Sequence, residues 1–160
     1  MRGSRTAIAL AGITGAASAA VLALAAPVQA ATYEWNTATA GSPPSGMTCV
    51  SMTGAEACFE KNGDRWWVKD TASDSHSATA SWENDLFDGI QWRLYRQGSC
   101  VNKLGYGRWG ACNKDYYESG STNELGGKGS QLDWQACVYD SADGSWHGCS
   151  TDIAWVDNNA

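Results

Sequence analysis

One sequence pattern occurs twice in this chain and constrains its construction more than any other feature. Cys100-Val101, five residues, then Gly107-x-Trp109-x-x-Cys112 is matched by Cys137-Val138, five residues, then Gly144-x-Trp146-x-x-Cys149, with an Asp three positions after each second cysteine (Asp115 and Asp152). A shorter relative, Cys49-Val50 to Gly54 to Cys58, lacks the Trp. The simplest physical reading is a β-hairpin clipped at its ends: strand, Gly-containing turn, strand, and a disulfide across the pair. Gly tolerates the positive φ that such turns need, and Val and Trp suit strand positions. The repeat speaks to construction more than to activity.

Cysteine usage then bounds the compartment. Residues 1–30 have the form of a secretory leader: Arg2 and Arg5, an Ala-rich apolar run from Thr6 to Pro27, and the small-x-small site Val28-Gln29-Ala30. The mature chain from Ala31 is one domain's worth of residues and holds all six cysteines. An even count suits an oxidising compartment and three bridges. The repeat pairs them as Cys49–Cys58, Cys100–Cys112 and Cys137–Cys149, one of fifteen pairings open to six cysteines. A metal site fails on spacing, since there is no C-x-x-C and the two histidines, His76 and His147, lie far apart in sequence. No cofactor is implied.

Charge excludes two classes of partner. Of the eleven Lys and Arg, Arg2 and Arg5 belong to the leader, which leaves nine against seventeen Asp and Glu, a net of −8. An acidic chain with no basic cluster argues against nucleic acid and against an anionic membrane surface. All nine Trp lie in the mature chain. Trp fills a small core well because each ring buries a large area, and it equally serves as an anchor presented to a ligand.

Periodicity gives the fold class. Thr32 to Thr37 alternates large and polar residues, as a half-buried strand does. Ala38 to Gly46 has linker composition, with Gly41, Pro43 and Pro44. Residues 31–47 therefore read as a strand-like extension held off by a linker, which frays or adds itself as a strand to a partner or back onto this chain. From Thr48 the pattern is β throughout. Asn62-Gly63 joins Ala57–Lys61 to Arg65–Lys69 as a hairpin, Ser77–Trp82 alternates small residues, and Ile90, Trp92 and Leu94 fall on one face. No segment sustains a 3.6-residue period. Residues 48–160 are expected to form an all-β domain, a small disulfide-stapled sandwich (immunoglobulin-like or jelly-roll-like) or flattened barrel. Trp66 and Trp67 are neighbours on one strand, so their rings point to opposite faces, and one of them meets solvent, a loop or a partner.

Catalytic patterns are weak. His76 sits in a polar turn, and His147 occupies the place of Gly110 in the first repeat, so the framework does not require it. There is no G-x-S-x-G elbow, and with every Cys in a bridge no thiolate remains. Glu56, Glu60, Glu83, Glu118 and Glu124 are available for sugar hydrolysis, yet nothing pairs two of them across a cleft. Gly126–Ser130 lacks the setting of a phosphate loop, and Asp140–Gly144 falls short of a calcium loop. Aromatic recognition survives better. Trp109 and Trp146 stand at equivalent places next to the hairpin tips, and with Tyr33, Trp35, Trp66 and Trp67 they are the candidate partner contacts.

Ala57-Cys58-Phe59, Gly63-Asp64, Trp67 to Thr71 and the Gly-Ser-Cys and Trp-x-x-Cys turns, together with the leader, resemble a large group of small secreted actinobacterial proteins. One role associated with that group is the adaptor subunit of umbrella toxin particles. The resemblance implies a secreted, non-catalytic adaptor that ties a lectin subunit to the repeat stalk of a large toxin, with Tyr33–Trp35 as one grip. Two other readings stay open from the residues themselves. One is an inhibitor of an extracellular protease or glycosidase that presents Lys103–Arg108, and the other is a carbohydrate-binding module using exposed Trp.

Overall fold

The computed structural model describes residues 31–158, and it is all-β, with eleven strands and no helix among the described residues. Residues 1–30, which have the form of a leader, lie outside them. The strands are β1 (Tyr33–Thr37), β2 (Thr39–Ala40), β3 (Thr48–Met52), β4 (Ala55–Glu60), β5 (Arg65–Asp70), β6 (Ser77–Phe87), β7 (Trp92–Asn102), β8 (Trp109–Asn113), β9 (Ser130–Tyr139), β10 (Trp146–Cys149) and β11 (Ala154–Asp157). They form two sheets. One runs β1-β7-β6-β9-β10, with β11 also paired to β9, and the other runs β2-β8-β5-β4-β3. This is the expected disulfide-stapled β-sandwich.

Strand alternation sends one side chain of each pair between the sheets. From β6 these are Ala78, Ala80, Trp82 and Asn84, and from β9 they are Leu132, Trp134, Ala136 and Val138, all buried. Small residues at Ala78, Ala80 and Ala136 leave room for large rings elsewhere in the layer. Trp66 lies parallel to Trp82 (centroids 6.0 Å apart, 12° between planes) and edge-on to Trp134 (5.2 Å, 67°), with Phe59 4.6 Å away. Two of the three indole nitrogens find partners inside. The Trp66 indole N–H donates to the Tyr116 hydroxyl at 2.9 Å, and that of Trp134 donates to the Ala57 carbonyl at 3.1 Å. Burial pushes the Tyr116 phenol far above its ordinary value, so it stays neutral within the core.

The three bridges join the pairs expected from the repeat, but the two copies of the repeat do different jobs. Cys49 faces Cys58 across β3 and β4, and Cys137 faces Cys149 across β9 and β10, each pair with Cα atoms 4.0 Å apart. Cys100 and Cys112 are 5.9 Å apart at Cα and belong to strands in opposite sheets. The hairpin reading is therefore corrected for Cys100–Cys112: it is a bolt through the sandwich. The connection between β7 and β8 crosses from one sheet to the other because β8 pairs with β5.

Residues 31–47 are likewise corrected from an extension to part of the sandwich. β1 lies parallel to β7, with Trp35 opposite Ser99, and closes one edge of the larger sheet. Ala38 is buried, and β2 then pairs antiparallel with β8 in the other sheet. Of the alternatives open to this strand, it adds back onto its own domain. Gly41, in the supposed linker, packs against Trp67: a Cβ there would meet the indole ring at 3.0 Å. Trp67 thus turns away from the core occupied by Trp66, as alternation requires, but the linker covers it.

Seating β1 depends on Gly98. A Cβ at this position would stand 2.2 Å from the Glu34 carbonyl oxygen and 2.8 Å from Trp82. Replacing Gly by Ala inside a strand ordinarily favours folding. Here Gly98→Ala is expected to lower stability by about 1–3 kcal/mol, read as a lower urea midpoint. A midpoint equal to or above that of the parent would show that β1 does not approach so closely.

Candidate functional site

The outward surface of the larger sheet is where aromatic residues collect. On β1 alternation sends Glu34 and Asn36 inward and leaves Tyr33 and Trp35 outward. Trp35 lies edge-on to Tyr139 of β9 (4.9 Å, 64°) and to Trp146 of β10 (6.1 Å, 76°), while Tyr139 and Trp146 are 5.1 Å apart. Tyr33 stands 6.4 Å from Trp35, with its hydroxyl 2.5 Å from Ser99 Oγ. Three strands thus contribute to one cluster, and two constraints hold it in place. The Cys137–Cys149 bridge ties β10 to β9, and the pairing with β7 fixes β1.

Tyr33, Trp35 and Trp146 are each more than two-fifths exposed, at 47%, 43% and 44%. They wall a shallow groove of about 400 Å³, with Ser81 and Cys149 completing its lining. Edge-to-face packing holds the rings before anything binds, so little side-chain entropy remains to be lost. A contiguous exposed aromatic patch of this kind is suited to hydrophobic and stacking contacts.

The six aromatic residues expected to meet a partner separate into three groups. Tyr33, Trp35 and Trp146 come together here. Trp109 lies on β8 in the other sheet, half-buried, with the Lys69 ammonium 5.6 Å from its ring centroid. Trp66 and Trp67 are corrected to interior residues, 0% and 4% exposed. Trp67 is held by an indole N–H donated to Glu60 Oε2 at 2.7 Å. Tyr139 is absent from the residues singled out by sequence, although its register with Trp146 across the second repeat is the signal that would have found it. Trp155 on β11, 62% exposed and opposite Asp133 of β9, is absent from them as well.

Carboxylates border this surface. Glu83 on β6 lies opposite Asp133 on β9, and Asp85 lies two residues beyond Glu83 on the same strand. Burial, reinforced by the charges of Glu83 and Asp85, pushes the Asp133 carboxyl up to about 6. Asp85 is raised by burial. Of the five Glu weighed from sequence for sugar hydrolysis, Glu83 alone belongs to this band, Glu60 being engaged with Trp67 and Glu124 with Tyr117.

Behind the aromatic cluster is an ion-pair junction. Glu34 accepts from Arg96 Nε at 2.6 Å and from Lys114 Nζ at 2.6 Å. Burial alone would raise the Glu34 carboxyl, but the hydrogen bonds and charges of Arg96 and Lys114 outweigh it and hold the group below its ordinary value. The Lys103–Arg108 segment is stiffened by Asn102, whose amide donates to the Arg108 carbonyl at 2.8 Å and whose oxygen accepts from Leu104 N at 2.9 Å. It links the two sheets, and Tyr106 at its tip is exposed.

Two groups of metal-ligating type exist among the described residues. Cys49, Glu56 and Cys58 are one, but both sulfurs are consumed in a bridge. The other brings together histidines that lie far apart in sequence: His76 and His147 have ring centroids only 4.1 Å from each other, with Asp140 beside them. Antiparallel pairing of β6 with β9 brings Ser77 opposite Tyr139 and so carries His76 to Asp140.

Comparison with protein-family models, with curated proteins and with solved structures finds no match.

The raised Asp133 carboxyl has a defined sign. A group whose folded pKa exceeds its unfolded value contributes most stability below the unfolded value and loses it as pH rises through the folded one. For Asp133 the window runs from the ordinary 3.8 to about 6. Asp133→Asn is therefore expected to raise the Tm at pH 7, with the gain fading as pH falls from about 6 and gone below the ordinary aspartate value of 3.8. A Tm difference independent of pH would contradict the crowding of these carboxylates.

Proposed function

We propose that the protein is a secreted, non-catalytic protein-binding module, and that its setting is an adaptor in an extracellular complex of the umbrella toxin type. The observation that carries the reading is the preformed cluster of Tyr33, Trp35, Tyr139 and Trp146, whose groove-lining rings stay substantially exposed. Exposed Trp and Tyr held rigidly are the side chains that dominate binding energy at protein interfaces. Three bridges favour an oxidising, extracellular environment, and no helix among the described residues is long and apolar enough to cross a membrane.

An adaptor needs a second grip. Ile90 (88% exposed), Trp92 (40%) and Leu94 (44%) form an apolar tip where β6 turns into β7. This tip is on the larger sheet and is separated along β6 and β7 from the aromatic groove. In the adaptor reading the groove takes one partner, and the hairpin tip takes the other. The resemblance to small secreted actinobacterial proteins supplies their identities: a repeat-containing toxin stalk and a lectin subunit.

The groove also favours a second reading, carbohydrate binding, because Ser81 lies between aromatic walls that suit a sugar face. One experiment separates the two. The mature, disulfide-bonded protein is immobilised and offered purified stalk repeats, the lectin subunit, and a panel of soluble polysaccharides. The adaptor reading expects simultaneous retention of stalk and lectin. It also expects Trp35→Ala or Trp146→Ala to weaken one of the two by roughly 30-fold, corresponding to about 2 kcal/mol, with circular dichroism unchanged. Polysaccharide retained through Trp35 and Trp146, with neither protein bound, would replace it by the carbohydrate-binding module.

A further inference from the structure

We propose that His76, Asp140 and His147 form a binding site for one divalent transition-metal ion of the zinc class. These are the only two histidines in the chain, and they come from separate elements: the turn before β6 and strand β10. One ligand atom from each of the three residues lies within 4.8 Å of the other two. Zinc held at about 2.0–2.1 Å by nitrogen and oxygen donors sets them roughly 3.3 Å apart. Small rotations suffice to close the difference, since His147 is exposed and His76 is partly so.

The surroundings are arranged as an imidazole ligand requires. His76 Nδ1 stands 3.5 Å from Asp74 Oδ2, and the other ring nitrogen, Nε2, is turned to Asp140 Oδ2 at 3.9 Å. A carboxylate behind one nitrogen orients the ring and strengthens the other as a donor. The backbone enforces this orientation. His76 N donates to Asp74 Oδ1 at 3.0 Å, and Ser75 takes a positive φ of 69°, which residues other than glycine seldom adopt. Asp140 spends its Oδ1 on the Ala142 N–H at 2.7 Å, which leaves Oδ2 toward the histidines. Ser77 and Ser141, joined at 2.7 Å between their hydroxyls, hold the two elements together beside the site.

Donor chemistry selects the ion. Two imidazoles and one carboxylate suit zinc and its first-row neighbours, whereas calcium and magnesium take oxygen ligands. Three protein donors leave a coordination position for water or for a group from a partner. Binding would also join the β5–β6 turn to the hairpin that carries Tyr139 and Trp146, so the ion would stiffen one wall of the aromatic groove.

The test uses the untagged mature chain with its bridges intact, so that no thiol or affinity tag competes for metal. Titration with Zn²⁺, followed by calorimetry and by the ring signals of the two histidines, is expected to give one ion per chain, both rings shifting together, and a raised Tm. His76→Ala and His147→Ala are each expected to abolish saturable binding while leaving the metal-free Tm unchanged. Asp74→Asn, which acts through His76, is expected to weaken binding by about 10-fold or more. No shift of either ring at millimolar Zn²⁺, or binding that survives loss of either histidine, would overturn the assignment.

Discussion

A short parallel strand held at a sheet edge is the arrangement on which the rest of this surface depends. β1 offers only five residues of pairing, too little to dock by backbone hydrogen bonds alone. Glu34 supplies what the pairing lacks. It points inward, where Arg96 reaches it from β7 and Lys114 from the chain just after β8, so one carboxylate is shared by cations from both sheets. Lys114 also lies near Asn36 and has its ammonium 4.9 Å from the Trp82 ring centroid. Lys114, with its side chain only 5% exposed, would be costly to leave without the carboxylate, and that dependence helps to fix β1 in register. Gly98 allows the backbones to approach, and the outward side chains Tyr33 and Trp35 are placed as a consequence.

The sandwich behind that edge is built from rings and staples. Trp66, Trp82, Trp134 and Phe59 fill the space between the sheets, each buried at 1% exposure or less. Two bridges clip hairpins within single sheets, and the third passes between the layers. Asp64 ties the C-terminal segment to the turn between β4 and β5: it accepts from Tyr116 N at 2.7 Å and from Asn158 Nδ2 at 3.1 Å. Burial raises its carboxyl, with the two hydrogen bonds opposing that shift. Stiffness of this kind sets the exposed rings in place in advance, as the proposed binding role requires.

Local features were legible in the sequence, and what depended on distant packing was not. The two-residue period, the Asn62-Gly63 turn and the spacing of the cysteines are local, and each led to the observed strand, hairpin or bridge. The repeat misled at Cys100–Cys112 because identical spacing spans a hairpin in one copy and a crossing between sheets in the other. Only the partner of β8, which is β5, decides that. Alternation correctly separated Trp66 from Trp67, but it says which way a ring points and not what covers it. Linker composition from Ala38 to Gly46 hid the fact that Gly41 is small because Trp67 lies against it. In the same way Tyr139, His76 and His147 acquire meaning only when β6, β9 and β10 are set side by side.

The strand β1 is a structural member of the aromatic face, so its state in solution is the decisive quantity for the proposed binding role. Amide hydrogen exchange of the mature protein, resolved for residues 33–37 and for their neighbours 97–101 on β7, measures it directly. Protection of the β1 amides comparable to that of the β7 pairing partners is the expected result. Exchange of residues 33–37 at the rate of an unstructured chain, with β7 still protected, would mean that the strand is not seated and that the aromatic face does not pre-exist.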